Sequence, residues 1–169
     1  MQCLILDNKE VKAAVDELTT VLGSKDAAYY VVSENNGHAI DQAPNGEPSK
    51  LFSDLLSHYN GNREQAIKAK VKVFTDEFKS WFGDWINNVE DSSKIVDENG
   101  EPLIVYHNGY EDIKVFKGDE YGDIYFGDYM TAATYSGLPT KVFLSIRNPL
   151  TIDGKGEEIG DAVEKQYPG

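Results

Sequence analysis

Cysteine is all but missing from this sequence: Cys3 stands alone, so an internal disulfide and a cysteine-based metal site are both excluded. The three histidines, His38, His58 and His107, are too scattered to predict a zinc site, and no metal is expected. Long apolar runs are missing as well. Leu4-Ile5-Leu6 is too brief for the apolar region of a signal peptide, and nowhere does the sequence hold the roughly 18 consecutive apolar residues that a membrane-spanning helix needs. A reducing, cytoplasmic location without membrane contact is the expectation. Positive charge is scarce too: 16 lysines and arginines face 29 aspartates and glutamates, a net charge of -13. Such a surface repels phosphate, so direct nonspecific nucleic-acid binding is not expected and basic partners are favoured. A solvated acidic face explains the charge most simply; the sharper explanation is occupation of a nucleic-acid-binding groove on another protein.

What is present is enough for a folded core, because 40% of the 169 residues are hydrophobic and 11% aromatic. From Asn8 onward, Val11, Ala14, Val15, Leu18, Val21 and Leu22 recur at helical spacing, with Asn8 as the cap and Gly23 as the stop. Ala27 to Ser33, containing Tyr29, Tyr30, Val31 and Val32, has the content of a strand, although so short an apolar run also suits a buried helical turn. Glu34 to Pro48 is turn-forming sequence and is expected to be an exposed loop at about 34-48. Ser49 then caps a helix carrying Leu51, Phe52, Leu55, Leu56 and Tyr59, which Asn60-Gly61 ends. Asn62 and Gln65 form a capping box for what reads as the longest helix, with Ile67, Val71, Phe74, Phe78, Trp81 and Phe82 in its apolar stripe. The cluster Trp81-Phe82-Gly83-Asp84-Trp85 is read as a clamp between a helical and a sheet-forming part, since aromatics at helical spacing are usually core.

After Trp85 the pattern turns to β. Lys94 to Val96 and Leu103 to His107 flank Asp97-Glu98-Asn99-Gly100, and Asn-Gly between two apolar runs signals a hairpin because it tolerates positive φ. Ile124 to Phe126 and Lys141 to Ile146 are the next expected strands, with a short helix around Thr131 to Tyr135 between them. Glu157 to Gln166 reads as a further helix, and no internal repeat is evident. The division is therefore 1-85, a helical region, and 86-169, an α+β region.

Phe78-Lys79-Ser80-Trp81-Phe82-Gly83-Asp84-Trp85, followed by the run from Lys94 through Gly100-Glu101-Pro102 to Tyr106-His107, closely resembles ADP-ribosyltransferase-like domains in the large polyvalent proteins of phages and conjugative elements. Asn45 to Phe52 looks like the segment that precedes such domains. The resemblance implies an α+β fold in which the amino-terminal helical region packs on a truncated ADP-ribosyltransferase-like antiparallel sheet, in a bacterial host cytosol. It also implies a cofactor-binding set of His107, Gly109, Tyr125 and Tyr135 for NAD, in which the histidine holds the adenosine ribose and the tyrosines sandwich the nicotinamide. If the protein is active, His107 and Tyr135 are the catalytic pair that the resemblance transfers. A flat ring binds between aromatic faces, and the cationic transition state of ribosyl transfer wants a fixed carboxylate.

The sequence departs from the family pattern in three places. Asn108 stands where glycine usually follows the histidine, with Gly109 one position late; Gly127 and Ala132 replace hydroxyl residues. No glutamate matches the family's catalytic one before Gly169, and Glu157, Glu158 and Glu164 match no motif. Two functions are expected from this. One is a catalytically incomplete, acidic binding protein, with no cofactor, that inhibits a basic nucleic-acid-binding host defence protein such as a CRISPR-type nuclease. The alternative is an NAD-dependent mono-ADP-ribosyltransferase acting on a host protein or nucleic acid. An exposed sheet edge after Lys141 to Ile146 is expected to be covered by the amino-terminal part or by a second chain, which allows dimerisation.

Overall fold

The protein was analysed as a computed structural model that describes residues 8-109, 124-135, 137-152 and 165. It is an α+β structure in which helices lead and a small antiparallel sheet follows. Helix α1 (Lys9–Leu22) starts where the Asn8 side chain accepts a hydrogen bond from the Glu10 amide. It ends at Gly23, whose φ of 69° is left-handed and whose amide bonds back to Thr19 O. Helix α2 (Lys25–Glu34) occupies the stretch whose composition had suggested a strand. Ser24 caps it, and Ala28, Val31 and Val32, spaced i, i+3 and i+4, are its buried face, so helical packing overrides the β preference of the tyrosine and valine pairs.

Residues 35-48 are only partly the exposed loop expected: Asn36, Asn45, Glu47 and Pro48 are exposed, while the rest of the segment packs inward. Asn35, Ile40 and Ala43 are fully buried or nearly so, and Asn35 Nδ2 lies within 2.8–3.2 Å of the carbonyls of His38, Ala39 and Gln42. One side chain thereby satisfies carbonyls that a loop at this depth would otherwise leave without water. Helix α3 (Lys50–His58) begins at the Ser49 cap as expected. The expected long helix is two: α4 (Arg63–Val71) passes through a 3₁₀ turn at Lys72–Phe74, and α5 (Asp76–Phe82) starts afresh from the Thr75 cap. The apolar stripe continues across the break because Val73 and Phe74, in the turn, are themselves buried.

Strands β1 (Val105–Gly109) and β2 (Leu138–Val142) pair antiparallel, with His107 opposite Thr140 and Gly109 opposite Leu138. The second strand lies earlier than the expected 141-146, and Ile124 to Phe126 form no strand; a single bridge joins Tyr106 to Gly127 instead. Helix α6 (Tyr129–Ala133) lies between them, capped by Asp128. Residues 144-146 are covered from the amino-terminal side: the Ser93 hydroxyl donates to Leu144 O, the Lys94 amide to Ile146 O, and the Ser145 hydroxyl to Trp81 O. Of the expected helix over 157-166, only Lys165 is among the described residues, and it is helical; Glu157, Glu158 and Glu164 lie outside them, as do Cys3 and Leu4 to Leu6.

The aromatic clamp holds the two parts together. Phe82 and Trp85 are buried, Trp85 Nε1 donates to Val73 O at 3.1 Å, and Phe78 meets Phe143 edge-on at 5.3 Å. A second tie is electrostatic. Lys70 on α4 and Glu101 after the hairpin turn are both fully buried, with Lys70 Nζ 2.7 Å from Glu101 Oε1. The ammonium also donates to Ser49 Oγ and Gln42 O, and the Ser49 hydroxyl donates to Glu101 Oε2 at 2.6 Å. The cap of α3, the carboxyl end of α4 and the hairpin that leads into β1 therefore share one buried polar cluster.

That hairpin has a twin that reading for repeats missed. Asn45-Gly46-Glu47-Pro48 and Asn99-Gly100-Glu101-Pro102 have the same sequence and the same turn. Bridges join Gln42 to Pro48 and Val96 to Pro102, and the glycine amides bond back to Ala43 O and Asp97 O respectively. The two turns touch: Asn45 Nδ2 donates to Asn99 Oδ1, and Asn99 Nδ2 to Pro48 O.

Candidate functional site

Three separate segments deliver side chains to one cavity of about 530 Å³. Strand β1 contributes Tyr106, His107 and Asn108; the segment ahead of α6 contributes Tyr125 and Phe126; α6 and its end contribute Ala132 and Tyr135. His107 reaches the rim because β1 is held on both sides, by β2 and by the bridge from Tyr106 to Gly127. Its Nδ1 lies 2.8 Å from Tyr125 O. A carbonyl only accepts, so Nδ1 carries a hydrogen in this bond. That bond turns the imidazole, whose ring centroid is 5.5 Å from that of Phe126.

Tyr125 and Tyr135 are 67% and 68% exposed, which is unusual for side chains of this size. Of the four residues expected to hold a nucleotide, His107, Tyr125 and Tyr135 come together here. Gly109 does not line the cavity; it ends β1 opposite Leu138. Asn108, the departure from the family pattern, lines the cavity and turns its carboxamide nitrogen to the carbonyls of Ala132 and Tyr135. No carboxylate lines the cavity among the described residues.

A second cavity of about 580 Å³ shares Tyr106 with the first and lies between α3 and the start of α6. Tyr106 meets Tyr129 edge-on at 5.4 Å, and burial, with Asp54 and Tyr129 nearby, pushes its phenol above the ordinary tyrosine range. Hydrogen bonds from Thr131 and Met130 hold the Asp128 carboxyl below the ordinary carboxylate range. Across this cavity, burial and the Lys141 ammonium push His58 below the usual imidazole range. Sequence reasoning missed the second cavity, because its lining comes from α3 and α6, which no local pattern connects.

Among the described residues, no cluster of three histidine, cysteine, aspartate or glutamate side chains is arranged to hold a metal ion, and no helix is long and apolar enough to cross a membrane. No protein-family model, curated protein or solved structure matches this chain.

Proposed function

We propose that the cavity beside β1 is a nicotinamide-dinucleotide site in an ADP-ribosyltransferase-like protein of a phage or mobile element. The observation that carries the reading is the convergence of His107, Tyr125 and Tyr135, from three chain segments, on one cavity. The exposed phenol rings offer faces to a flat heteroaromatic ring. The imidazole, held by the Tyr125 carbonyl at the wall of the cavity, brings a hydrogen-bonding ring beside the place a ribose would occupy. Transferring ADP-ribose would in addition require a carboxylate beside the ribosyl carbon, so binding is the part of the alternative reading that this geometry supports.

Titration calorimetry of the full chain with NAD tests it. Wild type binds, and His107→Ala and Tyr135→Ala each weaken binding by about tenfold, the worth of one good hydrogen bond or stacked ring. Wild-type affinity in both variants would overturn the assignment.

The net charge of -13 favours a second reading: that the acidic surface engages a basic, nucleic-acid-binding host protein such as a CRISPR-type nuclease and inhibits it. Such a complex weakens steeply as salt rises from 50 to 500 mM, roughly the range over which the screening length shrinks severalfold. A complex indifferent to salt, or loss of inhibition on His107→Ala with NAD absent, would contradict a purely charge-driven role.

A further inference from the structure

We propose that Asn108 is the positioning residue of this cavity: its carboxamide holds the end of α6 and thereby sets Tyr135 as a wall. The inference rests on reading the cavity as a dinucleotide site. Asn108 Nδ2 donates to Ala132 O at 2.6 Å and to Tyr135 O at 2.9 Å. Both partners are carbonyls, which only accept, so the orientation of the carboxamide follows from chemistry. Ala132 is in the last turn of a five-residue helix and Tyr135 lies two residues past its end, where Ala132 O also accepts from the Tyr135 amide at 3.3 Å. The Tyr135 ring is 68% exposed, so packing contributes little to its place and the backbone that carries it must be held instead.

The other end of the carboxamide makes the arrangement specific. Asn108 Oδ1 is buried without a hydrogen-bond partner among the described residues, and it lies against Gly137. A Cβ on Gly137 would come within 2.1 Å of Oδ1 and 2.6 Å of Gly109 O, and the φ of +136° there already favours glycine. Asn108 and Gly137 thus form a matched pair: the carboxamide fills the space that the missing side chain leaves. The residue that breaks the family pattern is in this reading a strap.

The test uses the full chain with 3-fluorotyrosine at position 135, observed by fluorine NMR, together with NAD titration. Asn108→Ala should weaken NAD binding about tenfold for the loss of two hydrogen bonds. Asn108→Asp should weaken it more, since a carboxylate would then face two carbonyls. In a Tyr135→Ala background, Asn108→Ala should add less than twofold, because a residue acting through Tyr135 has nothing left to position. The fluorine resonance should shift and sharpen in Asn108→Ala and in Gly137→Ala while unfolding stays cooperative. Equal losses in both backgrounds, or an unchanged fluorine resonance, would overturn the proposal. If wild type fails to bind NAD, the dinucleotide reading falls, and the fluorine comparison alone decides whether Asn108 positions Tyr135.

Discussion

Replacing Glu101 by glutamine should destabilise this protein by about 3–5 kcal/mol at pH 7. Glutamine keeps the volume and an acceptor oxygen but removes the negative charge, leaving Lys70 charged and fully buried with only neutral acceptors within hydrogen-bond reach. Removing one member of a buried ion pair commonly costs about 3–5 kcal/mol. An upper bound comes from letting the lysine release its proton: neutralising a group with an unfolded pKa near 10.4 at pH 7 costs roughly 5 kcal/mol. Burial already pushes Lys70 down in the wild type, against the upward pull of Glu101, so loss of Glu101 pushes it down further. In the variant, the unfolded chain binds a proton at Lys70 that the folded chain does not, between the depressed folded pKa and about 10.4. Stability of the variant therefore rises with pH across that window, and the deficit should be smaller at pH 9 than at pH 7. Urea unfolding followed by circular dichroism at both pH values measures this. A deficit under about 1 kcal/mol at pH 7, or one unchanged at pH 9, would refute the claim that this pair is a buried, mutually dependent charge. Adding Lys70→Met to the variant should recover part of the loss, since it removes the buried charge and leaves only hydrogen-bond deficits.

Gly83→Ala should cost at least about 2 kcal/mol in the same assay, because the new Cβ would lie 2.3 Å from Ser92 Cα, a backbone atom, at a φ of +100°; a shift within the error of the midpoint would contradict that packing. His58, whose folded pKa is lowered first by burial and then by Lys141, should make stability fall as pH drops from 6.5 through that lowered value, since the unfolded chain takes the proton first. Melting temperatures of wild type and His58→Asn between pH 7 and 5 check this: the variant should show the shallower decline, and parallel curves would exclude His58 as a contributor.

The parts of the fold that local chemistry dictates could be read directly. Asn8, Ser24, Ser49, Asn62 and Thr75 all accept a hydrogen bond from the first turn of the helix that follows, and caps at Asn8, Ser49 and Asn62 were recognisable beforehand. Thr75 followed by Asp76 and Glu77 carries the same signal, but the unbroken apolar stripe on both sides of it argued for one long helix. In α2, the pairs Tyr29-Tyr30 and Val31-Val32 look like a strand by composition, whereas the buried set Ala28, Val31 and Val32 has helical spacing. Lys70 resembles its neighbours Lys68 and Lys72 in sequence; only the approach of a turn more than thirty residues away distinguishes it, and local pattern carries no such information. The twin turns were visible as repeated Asn-Gly-Glu-Pro, but four residues fall below the length at which a repeat is sought. At the candidate site, His107, Tyr125 and Tyr135 came from resemblance and do share a cavity, while the strap role of Asn108 depends on where α6 ends in space.

Assigned amide spectra of the full chain, recorded while NAD is added, test the central claim most directly. The account predicts saturable shifts concentrated at Tyr106, His107 and Asn108, at Phe126 and Gly127, and at Ala132 and Tyr135, all of which line one cavity. An unchanged spectrum at millimolar NAD, or shifts confined to residues remote from that cavity, would contradict it.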